Sequence, residues 1–400
     1  MIDNSTEFWE LDEETAGVEV QLKTVAQAFV YPLDWTVETI ISQLQRGNII
    51  ISPKFQRRNA WREPRKSHYI ESLFIGLPVP QIVLAEDQHE RGKYFVLDGK
   101  QRTLSLLQFT GLAPENQYNH FKLKSLEVIT DLEGLTYENI QENIELEKTL
   151  NRFLNQPIRC VVIRNWTDID FLHLMFVRLN NGSLSLSPQE LRQALFPGPF
   201  VDYINDAADN SSSLKTLLKI DEPDFRMRDV ELLIRYLAFT LFIDHYAGNL
   251  KHFLDDTCDR LNQDWNNYEE KVKCQVAAFE QAIQAGIEIF GKNDIGHKWI
   301  GNQYEKRLNK ALLDIMVFYF SDEQIRQAAL EKHADIVTQF QNLCEENQAF
   351  KSAMTTTTNS LSATSNRLMI WGKVLQAVLG LNFSIPTLSN GKIRFKGFWG

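Results

Sequence analysis

The sequence predicts an α+β fold, in which a mixed α/β part comes first and an all-helical part follows. Up to about residue 166, short apolar runs bounded by Gly and Pro alternate with helical patterns. After that point, apolar residues recur almost entirely at helical spacing. A length of 400 residues with 44% hydrophobic and 24% charged residues is typical of a globular chain of two or three domains.

Turn and cap residues delimit the elements of the first part. Thr36 is a suitable N-cap, Pro64 suits a first helical position, and Gly47, Gly76 and Gly111 are suitable stops. Helices are therefore expected after Thr36, from Pro64 to Gly76, over 101–110 and near 137–150. Strands are expected at 49–51, 81–85, 93–97, 121–129 and 157–164, where apolar and β-branched residues cluster.

The second part begins with a strong helix start at Ser187-Pro188-Gln189-Glu190, which combines a capping Ser, an N1 Pro and a Glu three residues on. Further amphipathic stretches lie near 228–246, 265–290, 303–320, 322–346 and 363–380. We therefore divide the chain into an acidic N-terminal segment (1–34), a mixed α/β domain (35–166) and an α-helical domain (167–400).

The composition argues against membrane-spanning, secreted and disulfide-rich classes of protein. There is no run of about 18 apolar residues, and the acidic start does not resemble a secretory signal. The four cysteines are scattered and form no Cys-x-x-Cys pair, which favours reduced thiols. We expect a cytoplasmic protein with no membrane partner and no haem, flavin or structural zinc.

Charge is distributed unevenly along the chain. The net charge is −10, yet residues 51–110 carry +4 while residues 1–50 carry −7. Arg58, Arg62 and Arg65 lie close to aromatic residues in this basic segment, an arrangement that suits a DNA backbone. We also expect Arg57 to contact phosphate. The simpler alternative is a solvated face whose aromatic side chains belong to the core.

The sequence Asp98-Gly99-Lys100-Gln101-Arg102 lies between a predicted strand and a predicted helix. The first turn of a helix has N–H groups without intrahelical acceptors and therefore attracts anions. Gly99 permits close backbone approach, Lys100 adds a mobile charge, and the planar guanidinium of Arg102 matches phosphate oxygens. Asp98 could bind magnesium or orient an attacking water, and Gln101 could position a water or read a base.

A purely structural interpretation of this segment stays open. Asp-Gly is a common turn, and Arg102 could simply pair with Glu71 or with a helix end. Short motifs of this kind have high false-positive rates.

Several motifs occur together and in a fixed order. They are Phe55-Gln56-Arg57, Trp61, Tyr69–Leu73, Gly76–Pro80, Val96–Arg102, Phe176–Gly182 and Leu186–Arg192, and Phe350–Arg367 is similar to a closing segment. Together they resemble the N-terminal domain family of GmrSD-type restriction endonucleases, whose first part looks like the ParB/sulfiredoxin fold. The family's Asp-Gly-Gln-Gln-Arg motif falls on residues 98–102, where Lys100 replaces a Gln.

The resemblance implies an NTP-binding, NTP-hydrolysing sensor or regulatory subunit in bacterial defence against phage or modified DNA. It implies NTP with Mg²⁺ as cofactor, Asp98, Gln101 and Arg102 as catalytic residues, and Asp98 as metal ligand. Nucleotide-binding residues would be Arg57 and Gly99–Arg102. The sequence lacks the His–Asn–His-type nuclease domain of complete members, so DNA cleavage would need a partner chain. A non-enzymatic ParB-like DNA-binding module and a nuclease acting with a partner remain alternatives, and oligomerization is left open.

Overall fold

The computed structural model of the chain describes eight stretches, which are residues 29–50, 61–88, 90–112, 120–166, 171–172, 175, 187–355 and 359–399. They divide into two compact units, one within 29–197 and the other within 198–399. The predicted boundary between residues 166 and 167 stays a prediction, because most residues from 167 to 186 lie outside the described stretches.

A mixed sheet organises the first unit. Its strands are β1 (Phe29–Thr36), β2 (Ile49–Ile50), β3 (Ile82–Glu86), β4 (Tyr94–Asp98) and β5 (Pro157–Arg164). Among the described residues they pair in the order β1-β5-β3-β4-β2. The β1–β5 and β3–β4 pairs are antiparallel, while β5–β3 and β4–β2 are parallel. The mixed α/β prediction for this part of the chain is confirmed, and the likeness to the ParB/sulfiredoxin fold stays a prediction.

Six helices accompany the sheet in the described residues of this unit. They are α1 (Val37–Gln45), α2 (Glu63–Phe74), α3 (Lys100–Phe109), α4 (Tyr137–Glu142), α5 (Glu147–Asn155) and α6 (Pro188–Leu195). The predicted Thr36 cap is confirmed, since its Oγ1 accepts from the Thr39 amide at 3.1 Å. Aromatic rings join the helices in the core: Phe74 of α2 stacks on Phe153 of α5 with ring centroids 4.4 Å apart.

The sequence pattern did not reveal β1. This strand pairs with β5 along all of its 8 residues, although Phe29, Val30 and Tyr31 are exposed. It lies at the edge of the sheet, where Pro32 is tolerated and one face need not be apolar. An edge strand of this kind lacks the alternation that identifies half-buried strands, so its sequence resembles a loop.

The strand predicted at 121–129 is wrong, since all of these residues are described and none is in a strand. Two carboxylates bind its backbone instead. Glu71 accepts from the amides of residues 127–129 at 2.7–3.2 Å, and Glu133 accepts from those of residues 125 and 126 at 2.8 and 2.9 Å. Ser125 has φ +58°, which also interrupts an extended chain. The backbone donors that a strand would offer to a neighbour are therefore already used.

Glu71 is itself buried, with 4% of its surface exposed. Burial by itself raises the pKa of the Glu71 carboxyl, but the backbone hydrogen bonds from Val128, Ile129 and Glu127 outweigh it and leave the pKa below its usual value. A carboxyl with a lowered folded-state pKa contributes stability above its unfolded pKa, and this contribution is lost as pH falls through the folded pKa.

We expect Glu71→Gln to lower the free energy of unfolding by about 1–3 kcal/mol at pH 7, because charge-assisted hydrogen bonds to the amides of residues 127–129 are lost. The measurement is urea unfolding of wild type and variant at pH 7 and at pH 3. The difference should shrink at pH 3, because the stability that a lowered folded-state pKa contributes is progressively lost as pH falls. Glu127→Gln is the matched control, because its side chain lies in the same segment and is 78% exposed. A difference that is the same at both pH values would contradict this role for Glu71.

The polar helix predicted near 137–150 is divided into α4 and α5. Asn143 separates them in an extended conformation, and its side chain accepts from the Glu145 amide at 3.0 Å to start a short 3₁₀ turn, Ile144–Leu146. A side chain that competes with the helix for backbone donors ends the helix at that point.

The second unit is mainly helical. Its helices are α7 (Pro199–Asn210), α8 (Ser212–Leu218), α9 (Arg228–Phe242), α10 (Leu250–Gln263), α11 (Trp265–Phe290), α12 (Lys310–Phe320), α13 (Glu323–Glu331), α14 (His333–Glu346), α15 (Gln348–Thr355) and α16 (Leu361–Leu379). Helices predicted near 228–246, 265–290 and 363–380 are confirmed. The stretch at 322–346 forms two helices, α13 and α14, instead of one.

The expectation that the second part of the chain is all-helical is wrong, because this part also contains two small β-hairpins. They are formed by β6 (His297–Ile300) with β7 (Gln303–Leu308) and by β8 (Thr387–Ser389) with β9 (Lys392–Arg394). Gly301-Asn302 and Asn390-Gly391 both have positive φ at the two central positions, as type I′ hairpin turns require. The helix expected from residue 303 therefore starts only after Asn309, whose Oδ1 accepts from the Leu312 amide at 2.9 Å.

Candidate functional site

The predicted strand–turn–helix is present at residues 94–109. Strand β4 ends at Asp98, helix α3 begins at Lys100, and Gly99 between them has φ +97°. A Cβ atom on Gly99 would lie 3.1 Å from Ile82 Cγ1 and 3.2 Å from Arg102 Nη2. Both the backbone conformation and the close approach therefore favour glycine at this position.

The guanidinium of Arg102 points back along the chain, toward Asp98 at the end of β4. Its side chain is only 8% exposed, and Nη2 donates to the Gln81 carbonyl at 2.9 Å and to Asp98 Oδ2 at 3.0 Å. Asp98 is fixed in turn, since its Oδ1 accepts from the Gly99 amide at 2.7 Å. Arg102 thus pairs with Asp98, and not with Glu71 as one alternative had it.

Polar atoms remain without partners beside this ion pair. Within the described residues, Arg102 Nε and Gln101 Oε1 are buried and have no hydrogen-bond partner. The amides of the first turn of α3 have no acceptor within the helix. A buried guanidinium N–H, a buried carboxamide oxygen and a helix N-terminus thus occur together, and buried polar groups without partners are uncommon.

Lys100 points to a second acidic residue. Its Nζ lies 2.8 Å from Glu190 Oε1, and the side chains are 9% and 6% exposed. Glu190 Oε2 accepts from the Ser187 amide at 2.7 Å, and Ser187 Oγ accepts from the Glu190 amide at 3.0 Å. The predicted capping box at the start of α6 is confirmed, and the same carboxylate also binds the lysine of the candidate site.

Two residues near the site were not predicted as part of it. Glu190 was predicted as part of a helix start and both residues lie within the ordered motifs, but neither was assigned to the site. The Tyr69 hydroxyl is buried without a hydrogen-bond partner among the described residues. Burial raises the pKa of Tyr69, and the nearby charge of Arg102 acts in the opposite direction. No local sequence signal indicates either role, because both depend on contacts between segments that lie far apart in sequence.

The basic segment is described only in part. Arg57 and Arg58 lie outside the described residues, so their predicted roles stay predictions. Arg62 and Arg65 are exposed at the start of α2, and the Arg65 guanidinium lies 4.8 Å from the centre of the Trp61 ring. Their position leaves both arginines accessible to an anionic partner.

A metal role for Asp98 stays a prediction. The described residues contain no group of three or more His, Cys, Asp or Glu side chains arranged to hold a metal ion. Asp98 is the carboxylate in residues 98–102, and both of its oxygens accept hydrogen bonds within the segment. Any cation bound there would therefore need further oxygen ligands from a bound molecule or from water.

A known protein family matches the part of the chain that carries this site. Residues 37–197 match the family model described as GmrSD restriction endonuclease, N-terminal domain. No curated protein matches the chain. In the described part of the chain, no helix has both the length and the apolar character needed to cross a membrane. The matched range contains the sheet from β2 to β5, the residues 98–102 and the capping box of α6, so the similarity to the GmrSD restriction endonuclease N-terminal domain includes the whole candidate site.

Proposed function

We propose that this chain binds a nucleoside triphosphate at Asp98–Arg102 and acts as an NTP-hydrolysing sensor or regulatory subunit of a bacterial restriction system. The observation that carries the proposal is the buried guanidinium of Arg102, whose Nε has no partner among the described residues beside the start of α3. A phosphate oxygen would satisfy this donor together with the first-turn amides, and the positive end of the helix dipole favours an anion there.

The two cations of the segment are held by different groups. Arg102 is fixed by Asp98 and by the Gln81 carbonyl, so its planar fork is preorganised for phosphate. Lys100 forms a buried ion pair with Glu190, so it would act on a phosphate chain through its positive charge at the start of α3. We infer that Arg102 positions the phosphate chain and that Lys100 neutralises part of its charge.

Magnesium would enter with the nucleotide. Mg²⁺ is commonly held by one or two carboxylates together with phosphate oxygens and several waters, so Asp98 would suffice as the protein ligand. Gln101, whose buried carboxamide oxygen has no partner among the described residues, would accept a hydrogen bond from an attacking water. Hydrolysis by this arrangement is part of the proposal.

A thermal-shift panel of the four NTPs with Mg²⁺ tests nucleotide binding. A ligand that binds only the folded protein stabilises it by about 2.7 kcal/mol at 100 times its Kd, so at least one NTP should raise Tm clearly. Phosphate release measured on the same samples then separates binding from hydrolysis. No shift with any NTP at millimolar concentration would overturn the proposal.

DNA is the second candidate ligand, and exposed Arg62 and Arg65 at the start of α2 favour it. Contacts of this kind go to the DNA backbone, so affinity should fall steeply as salt rises. DNA binding with this salt dependence, without nucleotide binding or turnover, would instead favour a non-enzymatic DNA-binding module.

A further inference from the structure

Helix α6 carries two glutamines that are buried without full hydrogen bonding. Gln189 and Gln193 are each 1% exposed. Within the described residues, neither the oxygen nor the nitrogen of the Gln193 carboxamide has a partner, and Gln189 Nε2 also lacks one. Gln189 Oε1 accepts from Arg192 Nη1 at 2.6 Å. A buried carboxamide with neither atom satisfied costs stability, so its presence needs a cause.

These glutamines are linked to the candidate phosphate site through Glu190, which lies on the same helix. Glu190 is next to Gln189 in sequence, and its carboxylate binds Lys100 of the site at 2.8 Å. Gln193 follows Glu190 by three residues, and residues three apart are neighbours on a helix surface. The unsatisfied carboxamide of Gln193 is therefore about one helical turn from the residue that holds Lys100.

We propose that Gln193, with Gln189 beside it, binds the nucleobase of the nucleotide whose phosphates occupy residues 98–102. The proposal rests on the proposed function. A neutral carboxamide offers one donor and one acceptor side by side, which matches the adjacent donor and acceptor on a base edge. Its acceptor oxygen is unsuited to a phosphate, which has acceptors only. Gln189 has only Nε2 left to donate, so it would add a contact to an acceptor of the ligand.

The test compares two ligands with the full chain by calorimetry: the NTP that shifts Tm most, and inorganic tripolyphosphate, both with Mg²⁺. Gln193→Met removes the carboxamide at nearly constant volume. We expect it to weaken NTP binding at least about tenfold, since base discrimination by good bidentate pairs is of this order. Tripolyphosphate binding should not change, and Tm without ligand should be unchanged or higher, because an unpaired buried polar group is removed.

Gln108→Met is the matched control. Gln108 is a buried glutamine of α3 whose Oε1 also lacks a partner in the described residues, but it lies near the opposite end of that helix from Gly99. Its substitution should change neither affinity. Gln193→Leu serves as a second variant if Gln193→Met does not fold.

The outcomes separate the two proposals. Unchanged NTP affinity in the Gln193 variants, or an equal loss for NTP and tripolyphosphate, would overturn the base contact while leaving phosphate binding in place. A wild-type chain that binds neither ligand would overturn the proposed function and the base contact with it.

Discussion

Replacing Arg102 by alanine is expected to lower the affinity for nucleoside triphosphate by roughly 100-fold or more, which corresponds to about 2.8 kcal/mol. The guanidinium is the preorganised phosphate ligand of the proposed site, since Asp98 and the Gln81 carbonyl hold it beside the start of α3. Alanine removes its charge and all its donors together. Calorimetric titration of the Tm-shifting NTP with Mg²⁺ into wild type and variant measures the effect.

The same titration includes two further variants, Arg102→Lys as a conservative substitution and Arg65→Ala as a control. Lysine keeps the charge but loses the planar fork, so its affinity should lie between those of wild type and Arg102→Ala. Arg65 is exposed and stacks on Trp61 outside the segment 98–102, so its alanine variant should bind nucleotide normally. The substitution in Arg102→Ala also removes the guanidinium that pairs with Asp98. Circular dichroism of the variant therefore checks that it still folds. A folded Arg102→Ala variant with wild-type affinity would show that the phosphate site lies elsewhere.

The second large effect is expected for Glu190→Ala, which should lower the free energy of unfolding by about 3–5 kcal/mol. The substitution leaves the buried ammonium of Lys100 without this carboxylate and removes the acceptor for the Ser187 amide. Removing one member of a buried ion pair is costly because the other charge stays buried. Urea unfolding of the full chain measures the change.

A double-mutant cycle with Lys100→Met isolates the pair. The two losses should be far from additive, since Lys100→Met removes the charge that Glu190→Ala leaves buried. The exposed pair of Glu90 and Lys93 provides the control, and Glu90→Ala should cost no more than about 1 kcal/mol. Equal costs for Glu190→Ala and Glu90→Ala would mean that the Lys100–Glu190 pair contributes little to the fold.

Local signals predicted much of the architecture correctly. Thr36 and Ser187 cap helices as expected, and strands β3, β4 and β5 lie within a residue or two of their predicted positions. The caps depend on residues close in sequence, and the turn residues that delimit these strands are also local signals. The two type I′ hairpins also had a local signal, in Gly301-Asn302 and Asn390-Gly391, which the helical interpretation of the second part passed over.

Two other errors arose where a segment distant in sequence decides the local structure. The segment 121–129 has enough apolar residues for a strand, but Glu71 of α2 binds three of its amides. Strand β1 has no amphipathic pattern and is ordered by its pairing with β5. Neither outcome can be derived from a short window, because the deciding partner lies about 55 or more residues away in each case.

By itself, the sequence determined that residues 98–102 form a strand-to-helix turn with a glycine at the bend, because this depends only on neighbouring residues. The ordered motifs likewise identified the family whose model matches residues 37–197. Only the tertiary structure decided how the charges are paired: Arg102 with Asp98, Lys100 with Glu190, and Glu71 with backbone amides. Charge pairing depends on which side chains folding brings within about 3 Å of each other, and in two of these three cases the partners are more than 50 residues apart.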